Sequence, residues 1–246
     1  MERIEWGRHG PRVVLVHGDV FDAPATFAAM EPLAADHRLV LVNRRGFGAS
    51  PAVEREDFDV DAGDLAEVLA EEPTHLVGHS YGGVVSLIAA AQVPGSVESL
   101  TIVEPPAFGL VADDPEVRCF IDAIQALLAA DPRPDEFLRR FAALVGGDAS
   151  RLPIPLPESL LRAARVQMRG RWPWDAVIPL ETLAAARWPK LVVSGGHSRI
   201  FDLVCGVLQR QLPARWEVFR GAGHSIPRLG GPVNECLARL WASSVN

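Results

Sequence analysis

The sequence predicts an α/β fold: a mostly parallel, doubly wound sheet with a helical segment inserted after the strand that ends at Val103. Three observations predict it. Short apolar runs rich in β-branched residues recur along the chain, each closed by a Gly, Asn or Pro turn signal. These runs are continuous rather than alternating, the pattern of strands buried on both faces, as in a parallel sheet. Ala- and Leu-rich stretches of helical period separate them, so strand and helix alternate, as right-handed crossovers require. The alternation then stops between Pro106 and Pro189, where every periodic stretch is helical.

Taken in order, the first strand is Val13–Val16. A helix over Pro24–Ala35 follows, opened by a proline whose missing N–H costs nothing in a first turn. The strand Leu39–Val42 leads to a helix over Asp61–Glu71, with Leu65, Val68 and Leu69 on one face. The strand His75–Val77 feeds a helix over Ser80–Ala91 carrying Val84, Leu87, Ile88 and Ala91. Leu100–Val103 ends the first half of the sheet. The insertion holds helical patterns at Val117–Leu128, Glu136–Leu144 and Glu158–Met168, punctuated by Pro153, Pro155, Pro157 and Pro173. Leu191–Val193, a helix over Phe201–Leu212, Trp216–Phe219 and a helix over Val233–Trp241 complete the chain. The expected organisation is a core of residues 1–105 and 190–246 and a helical cap of residues 106–189.

Length and composition agree with one such unit. The chain has 246 residues, 48% of them hydrophobic and 22% charged, enough to bury a sizeable core and close to the globular average. Acidic residues number 31 and basic ones 24, giving a net charge of −7, which disfavours nucleic acid as a partner. All basic residues but Lys190 are arginine, a bias that fits a GC-rich genome and has no chemical reason. Cys119, Cys205 and Cys236 are odd in number and widely spaced, so neither a disulfide framework nor a metal cluster is expected. The charged start Met1-Glu2-Arg3 lacks the apolar stretch of a signal peptide, and no run approaches the ~20 apolar residues of a membrane span. A cytoplasmic protein is expected, off the membrane, as a monomer or small homo-oligomer.

The strongest chemical signal is Gly78-His79-Ser80-Tyr81-Gly82-Gly83, between the strand His75–Val77 and the following helix. A serine at the apex of a sharp strand-to-helix turn has its hydroxyl exposed above the sheet. Residues two before and two after it crowd each other, hence Gly78 and Gly82. The helix N-terminus adds partial positive charge where an oxyanion would develop. A dinucleotide-binding loop is excluded, because Ser80 stands where its second glycine would be needed.

Val14-Leu15-Val16-His17-Gly18, Asn43-Arg44-Arg45-Gly46-Phe47-Gly48-Ala49-Ser50, Gly78–Gly83 and Gly221-Ala222-Gly223-His224 occur in this order. In order and spacing they resemble the α/β-hydrolase family, over nearly the whole chain except the insertion. The chain is similar to a short, capped, serine-hydrolase-like member without the first N-terminal strand pair. The resemblance implies that Ser80 is the nucleophile and His224 the general base, in the chain order Ser, acid, His. It implies an oxyanion hole made by the backbone N–H groups of Asp19 and Tyr81, with Val20 as the alternative in a shifted loop. His17 reads as a structural histidine, and Asn43–Ser50 as a structural turn whose first position is Asp in most of the family. His197 competes with His224 but ends the preceding strand. His75 and His79 share no helix face and have no third ligand, so no metal is expected.

The acid departs from the commoner pattern. After Leu191–Ser194, where many relatives carry Asp, the sequence reads Gly195-Gly196-His197-Ser198-Arg199. Glu104, at the end of the strand before the insertion, is the favoured acid, since a carboxylate buried there needs a partner and a histidine N–H is the natural one. Asp202 is the alternative. Trp172 and Trp174, flanking Pro173, are candidates for a substrate-binding aromatic wall. Phe120, Ile121, Ile124, Leu127 and Leu128, and Phe137, Phe141 and Leu144, form apolar stripes that read first as packing. The three arginines Arg162, Arg165 and Arg169 read as a solvated face.

The expected function is cofactor-free hydrolysis of an ester, thioester or lactone bond in a small or medium, partly apolar substrate. The same scaffold also hosts C–C bond hydrolysis and haloperoxidase-like peracid formation, and fold alone does not separate these. A non-catalytic ligand-binding relative is the third reading, supported only by the missing acid after Ser194.

Overall fold

A computed structural model describes residues 1–147 and 149–242. Seven strands form one sheet: β1 (Glu2–Trp6), β2 (Arg12–Val16), β3 (Arg38–Asn43), β4 (Thr74–His79), β5 (Val97–Val103), β6 (Lys190–Ser194) and β7 (Arg215–Val218). Their order is β1-β3-β2-β4-β5-β6-β7; β1 runs antiparallel to β3 and every other neighbouring pair is parallel. The α/β fold expected from the sequence is therefore the fold observed.

The continuous apolar runs are buried on both faces. Val14, Val16, Val40 and Val42 pack on one side with residues of α2 (Phe58–Ala70), α3 (Tyr81–Gln92) and, further along the sheet, α8 (Arg199–Gln211). Val13, Leu15, Leu39 and Leu41 face the other side, against α1 (Ala23–Phe27) and α9 (Gly231–Ala242). Helix α3 is buried from Tyr81 to Ala90, as a helix apolar on all sides must be. The helix expected over Pro24–Ala35 forms as α1 followed by a 3-10 stretch, Ala28–Ala35, which contains Pro32.

One strand exceeds expectation. The resemblance implied that the N-terminal strand pair is missing, yet β1 pairs with β3 at the sheet edge. Its signal was the alternation of Ile4 and Trp6 with charged Arg3 and Glu5, two apolar positions only, because an edge strand has one face in solvent. The Asn43–Ser50 turn secures it. The Asn43 amide donates to Glu2 Oε2 at 2.7 Å, Ala49 N–H donates to the same oxygen at 2.7 Å, and Glu2 N–H donates to Ser50 Oγ at 2.7 Å.

Between β5 and β6 the described residues hold no strand. They form α4 (Pro115–Ala129), α5 (Pro134–Leu144), α6 (Glu158–Met168), α7 (Leu180–Ala185) and short 3-10 turns. Asp114 caps α4 by accepting from Glu116 N–H at 3.0 Å, and Pro115 opens it. Ile124, Leu127, Phe137, Leu138, Phe141, Leu152 and Leu156 build a separate apolar cluster. Leu144, read as part of the Phe137 and Phe141 stripe, is instead 40% exposed, at the last position of α5.

Register decides where the chemistry goes. Val16 is opposite Gly78, His79 opposite Val103, and Val103 opposite Val193, so the strands end level at their carboxyl edge. From β2 the chain turns to β3 on one side, whereas β4 lies on the other. The crevice between the loops after β2 and β4 is thus a switch point, where open α/β sheets take their ligands.

Candidate active site

Ser80 sits between β4 and α3 with φ 55° and ψ −127°, a conformation that L residues rarely adopt. Two bonds hold it there: Ser80 N–H donates to Val103 O at 2.8 Å, and Gly83 N–H donates to Ser80 O at 2.8 Å. A Cβ on Gly78 would lie 2.6 Å from Gly82 O, and one on Gly82 would strike the carbonyls of Val16 and His17. The glycine spacing is therefore a steric condition of the turn. Tyr81 N–H opens α3 and has no carbonyl four residues back to bond, so it points out of the helix end.

His224 reaches this serine from the loop after β7. Its Nε2 is 3.0 Å from Ser80 Oγ, and its Nδ1 is 2.7 Å from Glu104 Oε2. Gly221 and Gly223, at φ 85° and 59°, give the loop its turns. His79 Nε2–H donates to His224 O at 2.9 Å, and the imidazole lies against the Phe201 ring with centroids 4.8 Å apart.

Glu104 is fully buried and, like Ser80, has positive φ, here 44°. Its Oε1 accepts from Gly195 N–H at 2.6 Å and lies 3.3 Å from His197 Nδ1. Burial alone would raise its pKa. Hydrogen bonds from His197 and His224, the charge of His224 and the Gly195 N–H together outweigh burial and bring it down to about 2. The carboxylate is ionised across the physiological range. Asp202 lies in the first turn of α8, away from His224 Nδ1, whose partner is Glu104.

The loop after β2 meets the serine from the other side. A Cβ on Gly18 would be 2.9 Å from Ser80 Cβ, so no larger residue fits. His17 is a buried structural residue: its Nδ1–H donates to Gly18 O at 2.7 Å and its Nε2 accepts from Arg44 N–H at 3.1 Å. Arg44 Nη2 donates to Gly18 O at 3.0 Å. The Gly18 carbonyl thus faces Arg44, and in a trans peptide the N–H of Asp19 points the opposite way.

Arg44 was read from sequence as one residue of a structural turn, and its reach was missed. It is fully buried, donates to Asp19 Oδ1 at 2.9 Å, Asp61 Oδ2 at 2.8 Å and Glu56 Oε2 at 3.3 Å, and lies 4.2 Å from the centroid of the Tyr81 ring. One guanidinium therefore touches both residues expected to form the oxyanion hole. Three carboxylates around one cation leave an excess of negative charge. Burial, only partly offset by Arg44, pushes Asp19 up to about 6, and burial together with Asp19 raises Glu56 well above the carboxylate range. Gln167 of α6 reaches Asp19 Oδ2 at 3.4 Å, which brings the insertion onto this loop.

Trp172 and Trp174 stack on each other at 4.7 Å and 11°, both half-buried. Trp172 packs with the helical cluster of the insertion, and Trp174 with both that cluster and the core. Among the described residues, Glu104, His197 and His224 are the one group whose donor atoms, all within 4.8 Å of one another, fit a metal ion. The shortest of their separations, 2.7 Å between His224 Nδ1 and Glu104 Oε2, is a hydrogen bond, and Nδ1 would have to give up that proton to ligate an ion. No helix of the described residues is long and apolar enough to cross a membrane.

The family model described as "Alpha/beta hydrolase family" matches residues 13–232. The chain is 31% identical over 174 residues to a pimeloyl-[acyl-carrier protein] methyl ester esterase of Methylococcus capsulatus, covering 69% of this chain and 65% of that one. It is 25% identical over 247 residues to lipase LipV of Mycobacterium tuberculosis, covering 91% and 90%. Against the first three curated relatives it matches, the chain spans between 53% and 65% of their length. Among solved structures it is similar to MenH from S. aureus, with a TM-score of 0.73, 16% identity and 99% of each chain covered, a likeness of fold.

Proposed function

The chain belongs to the alpha/beta hydrolase family, and on that premise we propose that it is a serine esterase working through an acyl-enzyme on Ser80. The observation that carries this reading is the unbroken series Ser80 Oγ, His224 Nε2, His224 Nδ1, Glu104 Oε2, with contacts of 3.0 and 2.7 Å. His224 takes the hydroxyl proton as Ser80 attacks the carbonyl carbon, and Glu104 holds the ring orientation and stabilises the imidazolium. The N–H groups of Asp19 and Tyr81 donate hydrogen bonds to the charged carbonyl oxygen; each such donor is worth roughly 10²–10³ in rate. His224 returns the proton to the leaving alcohol or thiol. It then deprotonates a water that releases the acid and restores Ser80.

Residues 106–189 serve in this reading as the lid over the serine, with residues 1–105 and 190–246 as the catalytic core. Gln167 supports the assignment, because it brings α6 to within 3.4 Å of Asp19. The paired faces of Trp172 and Trp174 suit the apolar part of a small or medium ester or thioester. The esterase and lipase names of the relatives point to the same bond class.

The test is labelling by a fluorophosphonate, followed by hydrolysis of ester and thioester panels of graded acyl length. Labelling at Ser80, lost in Ser80→Ala together with turnover, is expected. Triad loss typically costs ~10⁴–10⁶ in rate, so Ser80→Ala retaining more than a thousandth of wild-type turnover would place the nucleophile elsewhere.

A further inference from the structure

Glu104 serves two imidazoles. Its Oε2 faces His224, and its Oε1 faces His197 Nδ1 at 3.3 Å. His197 follows β6, in the loop where the sequence carries no acid. Its other nitrogen, Nε2, is 3.4 Å from the carbonyl of Val145, the C-cap residue that follows α5. Gly146 closes against the same ring: a Cβ there would be 2.6 Å from His197 Cδ2. The ring therefore bridges the carboxylate of the proposed triad to the insertion.

Both neighbours of the His197 ring nitrogens are acceptors. A carboxylate and a carbonyl cannot donate, so a neutral imidazole would leave one nitrogen lone pair facing an oxygen. Only the imidazolium satisfies both. The surroundings agree: the hydrogen bond to Glu104 outweighs partial burial and holds His197 above the usual histidine range, with Asp202 adding in the same direction. The titratable groups facing it are Glu104, Asp202 and His224, and Arg220 lies against neighbouring Gly196.

We propose that His197 is a positioning residue of this site: as an imidazolium held between Glu104 and the Val145 carbonyl, it keeps Glu104 turned toward His224 and sets the acid limb of the pH profile. The proposal rests on the reading of Ser80, His224 and Glu104 as a triad. The sign follows from charge. The two imidazole rings lie 6.3 Å apart, centroid to centroid. A positive His197 opposes a second positive charge beside the same carboxylate, so its removal should move the acid limb to higher pH. At that separation the effect is about one pH unit for a partly solvated pair.

Two variants separate charge from hydrogen bonding. His197→Asn places an amide N–H near the position of Nδ1 without the charge. His197→Ala removes both. In either, the acid limb of kcat/KM, and of the fluorophosphonate labelling rate, is expected to move up by about one pH unit. The plateau of kcat should fall further in His197→Ala, by about tenfold, because Glu104 Oε1 loses a donor. A residue that merely packs would lower the plateau and leave the limb where it is. Nitrogen-15 spectra of the wild type give a readout that needs no turnover: both His197 ring nitrogens are expected to carry protons at pH 7. An acid limb within 0.2 pH unit of wild type in both variants, or a singly protonated His197 at pH 6, overturns the proposal. Failure of wild-type labelling at every pH overturns the triad reading itself, whatever the spectra show.

Discussion

Glu104 Oε2 accepts the Nδ1–H of His224 at 2.7 Å, across 120 residues of chain and from a backbone held at φ 44°. Two residues of the same hydrogen-bonded series, Ser80 and Glu104, thus carry the positive φ that non-glycine residues avoid. Each such conformation costs roughly 1–3 kcal/mol and persists only where its surroundings over-determine it. For Glu104 these surroundings are its N–H bond to Val193 O at 2.9 Å and the three donors around its carboxylate.

That geometry makes Glu104 the acid to test. Glu104→Gln keeps the shape but presents an amide to His224 Nδ1, which favours the wrong tautomer. Steady-state kinetics should show kcat lowered by ~10³–10⁴, as loss of the acid does in other triads. Asp202→Asn should change kcat by less than about twofold. The reverse ranking would transfer the role to Asp202.

Arg44 should be the most costly single charge to remove. Arg44→Met leaves Asp19, Glu56 and Asp61 buried without their cation and leaves the Gly18 carbonyl with His17 as its one side-chain donor. Breaking a buried ion pair from one side costs about 3–5 kcal/mol, to be read from chemical denaturation. A loss under 1 kcal/mol would mean that the three carboxylates are already largely neutral.

Asp19 predicts a pH dependence of stability. Its folded-state pKa of about 6 stands above the ordinary 3.8, because burial outweighs Arg44. The folded protein therefore favours the protonated form. That stability is fully present below about pH 4 and is lost as pH rises through 6. The whole shift corresponds to at most about 3 kcal/mol. Thermal unfolding between pH 4 and 7 should fall less steeply in Asp19→Asn than in wild type; equal slopes would show that Asp19 does not take up a proton on folding.

Trp172 and Trp174 carry the expectation about substrate. Alanine at either should change the relative kcat/KM of short and long acyl esters, in graded steps, since each methylene in an apolar pocket is worth only ~1–3 kcal/mol. A profile that keeps its shape in both variants would leave the stacked pair as packing between insertion and core.

What the sequence by itself determined is local in origin. The buried strands show as continuous runs because both faces of each need apolar side chains. The turn at Ser80 shows because crowding around one serine demands glycine at Gly78 and Gly82. Even the helical stretch after Val103 follows from a change of period within one chain segment. What only the tertiary structure decided depends on residues far apart. Glu104 stood in the sequence as one of two carboxylates, and the packing of β5 against β6 and the return of the β7 loop put it against His224. Arg44 looked like part of a turn, because the partners that occupy it, Asp19, Glu56 and Asp61, lie on three other segments. His197 looked like a competitor for the base; folding instead set it on the far oxygen of the same carboxylate. Edge strand β1 went unread for a related reason: with one face in solvent it needs only Ile4 and Trp6, and its anchor is Glu2 bonded to Asn43, 41 residues away. Periodicity records which side of an element is buried, and it carries no information about which polar groups meet once the elements pack.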